Sequence, residues 1–406
     1  MSNTQKKNVP ELRFPEFEGE WEEKQFADFT KINQGLQIAI NERKTEYSPE
    51  LYFYITNEFL RPNSQTKYFI ENPPQSVIAN KEDILMTRTG NTGKVVTNVF
   101  GAFHNNFFKI KFDKNLYDRL FLVEVLNSSK IQNKILSLAG SSTIPDLNHS
   151  DFYSISSSYP LLREQQKIGK FFSKLDRQIE LEEQKLELLQ QQKKGYMQKI
   201  FSQELRFKDE NGNDYPESLL YKLSDIGTFN TGIGFPESLQ GGKEGIPFFK
   251  ISDMNNKGNE IIMRNANNYV SNGIIESKKW KIITNVPSMI FAKVGAAIML
   301  NRKRLVLEPF LIDNNTMSYS FSQEWNINFG RTLFQTIYLP KYAQVGALPS
   351  YNAKDIGLIK IELPVKEEQK RIGDFFVWFE ELIERQILKL DLLKERKRAI
   401  LQKMFI

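Results

Sequence analysis

The chain contains no cysteine and only two histidines, His104 and His149, among its 406 residues. The first absence excludes disulfides, thiolate nucleophiles, Cys-ligated zinc and iron–sulfur clusters. The two histidines lack metal-ligand spacing. They read as polar-network residues, with His149 helping to cap a helix junction. A disulfide-free chain of this size fits a reducing cytoplasm. Long hydrophobic runs are also missing. The longest, residues 288–300, is broken by Lys293 and falls short of the ~20 residues a membrane-spanning helix needs. The polar opening, MSNTQKKNVPELRF, has no apolar core of a signal peptide. No GxxxxGK[ST] phosphate loop occurs, which argues against ATP use by this chain.

An excess of one charge sign is scarce too. Lys and Arg total 55 against 49 Asp and Glu, a net charge of +6 with a pI near 9.0. Most of that excess, +5, lies in residues 160–201 and 364–406. The basic balance is therefore weak support for a nucleic-acid partner. Apolar residues make up 40% and aromatics 12%, enough to exclude a wholly disordered chain. The length suits two to four domains of about 100–200 residues each.

What is present is a repeat. The segment from Pro160, PLLREQQKIGKFFSKLDRQIELEEQKLELLQQQKKGYMQKIF, matches that from Pro364, PVKEEQKRIGDFFVWFEELIERQILKLDLLKERKRAILQKMF. There is no gap, and 17 of 42 positions are identical. Pro145, Asn148, Asp151 and Ile155 match Pro349, Asn352, Asp355 and Ile359 at the same offset. Shared composition would not keep Pro, Asn and Gly in step, so this is a tandem duplication. Looser echoes lie upstream. ELRF occurs at Glu11 and at Glu204; QFADFTKINQG, ending at Gly35, resembles KLSDIGTFNTG, ending at Gly232. YFYITN from Tyr52 resembles FFKISD from Phe248, DILMTRTG ending at Gly90 resembles SMIFAKVG ending at Gly295, and Asn105-Asn106 echoes Asn314-Asn315.

The bodies read as mixed α and β. Short β-branched and aromatic runs such as LYFYIT, FFKIKF and LIKIEL are bounded by Gly, Asn, Asp and Pro. The better-kept repeats read as long helices with a heptad seam. Its first copy is Ile168, Phe172, Leu175, Ile179, Glu182, Leu186, Leu189, Lys193, Tyr196 and Ile200. Its second is Ile372, Phe376, Phe379, Ile383, Gln386, Leu390, Leu393, Lys397, Ile400 and Met404. The polar positions fall in the same slots of both copies. A seam this long needs a partner, and pairing the two with each other is the simplest solution.

The expected fold class is therefore α+β: two globular α/β bodies as a pseudo-repeat, joined by two long helices. The expected bounds are 1–159 for the first body, 160–203 for the central helix, 204–363 for the second body and 364–406 for the distal helix. Two related bodies on a helical spacer suit a ligand with two related sites at a set distance. Duplex DNA, whose half-sites recur at ~34 Å, is such a ligand.

This plan resembles the specificity subunits of type I restriction-modification enzymes. The resemblance rests on ELRFPEF…W at residues 11–21 and on two junctions. These are PDLNHSDFYSISSSYPLLREQQKIGKFFSKLD, from Pro145, and PSYNAKDIGLIKIELPVKEEQKRIGDFF, from Pro349. It covers essentially the whole chain. It implies two target recognition domains, each binding half of a split sequence in double-stranded DNA, and an antiparallel coiled coil that sets the spacer. It also implies two methyltransferase (modification) subunits that use S-adenosylmethionine, and restriction/motor subunits that use ATP and Mg. The specificity subunit itself would be a non-catalytic, cytoplasmic protein without cofactor, metal or membrane contact.

Two rival readings are a self-contained DNA methyltransferase and a coiled-coil assembly protein without a DNA role. The first has one motif in its favour, Asn72-Pro73-Pro74-Gln75. Amino-methyltransferases place an aromatic at the fourth position to stack on a flipped base. Here Gln stands there, and a surface turn is the plainer reading. The duplicated bodies argue against the second rival.

Candidate DNA contacts are loop positions where cations and hydrogen-bond donors cluster. In the first body these are Arg88, Thr89, Asn91, Thr92 and Lys94, with Gly90 and Gly93 letting backbone approach phosphate. Ser141, Ser142 and Thr143 precede the first junction. In the second body the candidates are Lys293, Asn301, Arg302, Lys303 and Arg304, then Ser350, Tyr351 and Lys354 before the distal helix. Gln34, Gln37, Lys243 and Lys250 are weaker candidates.

Overall fold

The computed structural model describes residues 8–61, 64–140, 143–344 and 348–405. The chain forms two compact units, one of Met1–Gln184 with Ile387–Ile406 and one of Lys185–Gln386. The units thus divide the chain within the long helices.

In the first unit the main sheet is antiparallel. Its strand order is Thr30–Gln34, Phe107–Phe112, Ile84–Thr87, Val95–Val96. A second sheet runs Tyr68–Ile70, Tyr52–Ile55, Gly101–Phe103, Ile78–Ala79, with the middle two parallel. Helices Arg119–Asn127 and Ser129–Ala139 cover the main sheet and bury Phe121, Val125, Ile131 and Ile135 against Ile84, Met86, Phe108 and Ile110. Asp118 and Ser128 cap these helices by accepting the amides of Phe121 and Ile131, which satisfies otherwise orphaned donors. Strand Glu22–Gln25 pairs antiparallel with Ser156–Tyr159. That ladder ties the start of the body to the residues that enter the central helix.

The second unit repeats this plan. Its main sheet runs Gly227–Thr231, Thr316–Phe321, Ser288–Ala292, Lys303–Val306, all antiparallel. Its smaller sheet runs Tyr269–Val270, Ile246–Phe249, Leu311–Ile312, the last pair parallel. Ladder Leu219–Lys222 with Lys360–Leu363 matches the one in the first unit. Ile84 lies opposite Ile110 as Met289 lies opposite Tyr319, which confirms the pairing of Gly90 with Gly295 and of Asn105 with Asn314. One echo shifts. Ile55 pairs with Phe103 as Phe249 pairs with Ile312, so Tyr52 corresponds to Ile246 and not to Phe248. Alternating aromatic strands fit equally well after a slip of two residues, which keeps every side chain on its face.

The central helix is Leu162–Phe201 and the distal helix Lys366–Met404. In the first unit the start of the central helix packs antiparallel on the end of the distal one. Phe172 meets Phe405, with ring centroids 6.1 Å apart. Lys397 Nζ lies 2.6 Å from Asp176, and Lys389 Nζ lies 2.5 Å from Glu182. In the second unit the end of the central helix packs antiparallel on the start of the distal one. There Phe201 meets Phe376 at 6.1 Å, and Lys193 Nζ lies 2.8 Å from Glu380. Of the twenty seam residues only Tyr196 is exposed, at 39%. The polar seam residues Lys193 and Lys397 are thus spent on ion pairs inside their own units.

Each helix entry carries the same clamp. Arg13 of the first ELRF donates from Nε and Nη2 to both carboxylate oxygens of Glu164, at 2.8 and 2.7 Å. Arg206 of the second does the same to Glu368, at 3.1 and 2.6 Å. Both glutamates are about 2% exposed. Beside them, Gln165 accepts the amide of Asp118 and Gln369 that of Asn326. A bidentate guanidinium is the partner a buried carboxylate needs. Replacing Arg206 by Ala leaves Glu368 buried and unpaired and should cost about 3 kcal/mol. Urea titration should read that loss, and Arg206→Lys should recover only part of it because one ammonium cannot span both oxygens.

Glu124 is a second buried carboxylate in the first unit. Burial pushes its pKa up to about 7, against the nearby Lys397, and Asp176 pushes the same way. A carboxyl that holds its proton more tightly when folded loses stability as pH rises from its ordinary 4.5 through 7. Glu124→Gln should therefore gain on the wild type between pH 5 and pH 8, by on the order of 1–3 kcal/mol. Urea midpoints at the two pH values would read this; equal differences at both would refute it.

Candidate DNA interface

At one end of the first main sheet, five segments bring polar groups together. The turn after Thr87 is built on Gly90 and Gly93, at φ +83° and +87°, conformations that favour glycine. A Cβ on Gly90 would sit 2.3 Å from the Asn57 amide nitrogen, which itself donates to Thr89 O at 2.9 Å. The Arg88 amide donates to Asn106 O at 2.7 Å. Gln34 donates to Asn105 O at 3.2 Å, and Asn105 to Gln37 at 3.1 Å.

Arg88 does not project freely. Its Nη2 lies 2.5 Å from Asp146 Oδ2, and its guanidinium stands over the Phe108 ring. Thr89 Oγ1 donates to the other Asp146 oxygen. Asp146 was not singled out in the sequence, although it occupies the junction slot of Ser350, which was. Thr92 is buried, and its hydroxyl donates to Pro145 O at 2.8 Å. It shapes the turn and presents no polar atom outward. Asn91, Lys94 and Thr143 are exposed. Ser141 and Ser142 lie outside the described residues.

The second unit places Lys293 where the first has Arg88. Its amide donates to Asn315 O at 2.7 Å, and Gly295, at φ +88°, receives the turn. Phe291 pairs with Lys303 as Met86 pairs with Val95. Arg302 therefore stands at the position of Lys94, and both are exposed. Arg302 donates to Asn255 Oδ1 at 2.6 Å, and Lys354 is exposed. Lys293, Asn301 and Ser350 are half-buried.

Besides Thr92, three residues of the expected set, all in the second unit, serve the scaffold instead. Lys303 is buried and donates to Ile337 O at 2.8 Å and Asn301 Oδ1 at 3.0 Å; burial lowers its pKa to about 8. Tyr351 is buried, with its hydroxyl on Ala292 O, and burial raises its pKa. Arg304 donates from Nε to Asn259 O at 2.8 Å and is half-buried. Strand residues alternate between faces, and the run Asn-Arg-Lys-Arg in sequence does not say which cation faces in.

The other polar residues noted in the sequence have local roles. His149 opens helix His149–Tyr153 behind the cap Asn148, with its ring 4.9 Å from Phe108. His104 Nδ1 accepts the Asn106 amide, and burial and then Arg43 lower its pKa. Asn72, at φ +43°, begins a turn into Gln75–Val77. Among the described residues there is no group of three or more His, Cys, Asp or Glu able to hold a metal, and no helix long and apolar enough to cross a membrane.

The fold and these loop ends define a class: a duplicated sheet-and-helix recognition protein on paired helices. The family model for the type I restriction modification DNA specificity domain matches residues 18–191 and again 217–391. The chain belongs to that family, as a non-catalytic subunit that confers DNA target specificity. It is 25% identical over 427 aligned residues to the type I restriction enzyme MjaVIII specificity subunit of Methanocaldococcus jannaschii, covering 97% of this chain and 93% of that one. Two solved structures share the fold. The S subunit of a type I restriction-modification system from M. genitalium has TM-score 0.58 at 16% identity, over 98% of this chain and 99% of that one. A chain from a study of complex assembly and conformational transition in the type I R-M system has TM-score 0.58 at 15% identity, over 95% and 97%.

Lys94 and Arg302, as the exposed cations at matching hairpin positions, give a direct test. Lys94→Ala should weaken DNA binding by the complex uniformly across sequences and lower the slope of log K against log salt by about 1. A sequence-dependent loss would assign Lys94 to base reading. An unchanged slope would remove it from the interface.

Proposed function

We propose that the chain reads a bipartite, asymmetric DNA target and directs adenine methylation and restriction by its partners. The observation that supports this most is the contrast between two bodies of one plan. At matching loop positions they carry Arg88 and Lys293, Thr89 and Val294, His104 and Asp313. Arg88 and Lys293 both suit guanine, whereas the other two pairs differ in the donors and acceptors they offer, so the two sets read different halves. The exposed members of the two sets, Asn91, Lys94, Thr143, Arg302 and Lys354, are the first candidates for contact. The half-buried Arg88, Thr89, Lys293, Asn301 and Ser350 follow.

The two helices act as the spacer between half-sites. Two methyltransferase subunits supply S-adenosylmethionine chemistry, and restriction/motor subunits supply ATP- and Mg-dependent cleavage, in the cytoplasm. With +5 of the +6 net charge on the helical repeats, the partners contribute much of the phosphate attraction.

Methylome sequencing of cells carrying this chain and its partners tests the reading. A split motif with unequal halves is expected, and a continuous or palindromic motif would refute it. Inserting one heptad into each helix, within 180–192 and 384–396, keeps the seam in register and lengthens it by about 10 Å. The methylated motif should then gain about three base pairs of spacer at ~3.4 Å each. An unchanged spacer length in a methylating variant would sink the ruler.

A further inference from the structure

Strand Lys303–Val306 is the outermost of the second main sheet. Its residues alternate between faces. Leu305 packs into the core shared with helix Ile327–Thr336, and Val306 into the core on the opposite face. Lys303 therefore lies on the helix side and Arg304 on the other. The first unit is apolar at these places. Phe291 pairs with Lys303 and Ile290 with Arg304, as Met86 pairs with Val95 and Leu85 with Val96. Arg331 follows the cap Asn326 at the same spacing as Val123 follows the cap Asp118. Val95 and Val123 pack on one core of the first unit, and Val96 belongs to another. Three valines of one body are thus three cations in the other, with Lys303 and Arg331 buried.

These three cations and Arg302 line a recess of about 220 Å³ beside the strand. That is below the ~300 Å³ at which pockets for drug-sized ligands begin, and it suits a small ion. Among the described residues only Arg331 of the four forms an ion pair, from Nη2 to Glu380 at 2.5 Å. Its Nε is buried without a hydrogen-bond partner among them. Lys303 donates to uncharged oxygens, Ile337 O at 2.8 Å and Asn301 Oδ1 and O at 3.0 and 3.3 Å. Arg304 donates to the carbonyls of Asn259 and Lys303, at 2.8 and 2.9 Å. Burial and then Arg302 both work against its charge. Glu260, the carboxylate in the lining, is exposed and accepts the Gly258 amide. Buried cations without a counter-charge are costly, and like charges drawn together add to that cost. An anion among them offsets both and gives Arg331 Nε its acceptor.

We infer that this recess of the second unit binds a small oxyanion of the phosphate class, held by Lys303, Arg304 and Arg331. Guanidinium groups supply directed donors and Lys303 a point charge, a combination that suits phosphate oxygens. The oxyanion is either free phosphate or a phosphodiester of bound DNA. The inference rests on the second unit alone and not on which DNA sequence the chain reads.

The test is isothermal titration calorimetry of the full chain with sodium phosphate at fixed ionic strength, and with sodium acetate as a second probe. One phosphate should bind per chain, and acetate should not. Lys303→Val and Arg304→Val, which install the residues of the first unit, should each weaken phosphate binding about tenfold. Arg304→Val, at a half-buried position, decides the matter if Lys303→Val does not fold. No binding of phosphate, equal binding of acetate, or an affinity unchanged by both substitutions overturns the site. Repeating the titration on the assembled complex with duplex DNA bound identifies the source. Loss of phosphate binding there supports a DNA phosphodiester as the occupant, and retained binding supports free phosphate. The first titration contains no DNA, so its failure is distinct from a failure of the DNA reading.

Discussion

Everything in this molecule hangs on the burial of one apolar seam that neither long helix can cover alone. Residues spaced by threes and fours put Phe172, Phe376 and their companions on one stripe, and water makes that stripe costly to expose. The stripe also does more than join helices. In the first unit Met404 and Phe405 complete the core around Trp21 and Phe121. In the second, Ile200 and Phe201 complete the core around Phe329 and Ile372. Each body is thus closed by the end of the helix from the other repeat.

Duplication preserved the fixtures that this closure requires and released the rest. The Arg13–Glu164 and Arg206–Glu368 clamps and the glutamines beside them recur because each satisfies a buried donor or acceptor, and the Asn148 and Asn352 caps recur because each takes up an otherwise orphaned amide at a helix start. The ion clusters between helix and body diverged in sign. Two acids, Glu124 and Asp176, meet Lys397 in one unit, whereas two bases, Arg331 and Lys193, meet Glu380 in the other. The sheet-end loops diverged as well, as expected where side chains face away from the core.

The clamp shows how far local pattern can be followed. ELRF and the Glu-Gln pair after each junction proline stand out in the chain as repeats, but they lie about 150 residues apart, and nothing in either segment says that they meet. Asp146 illustrates the opposite failure. Arg88 in a glycine turn looks like a free cation, and only the fold brings a carboxylate from 58 residues away to within 2.5 Å of it.

Read by itself, the chain determined the duplication, the helical seam with its polar slots, the α+β bodies and, through the junction residues, the family. These are periodic or repeated features, and periodicity is carried by neighbours in the chain. The tertiary structure decided which members of Asn301-Arg302-Lys303-Arg304 face outward, which residue neutralises Arg88, and where the echo of Tyr52 falls. Each of these depends on which distant segment packs against a residue, a property that composition and spacing do not encode.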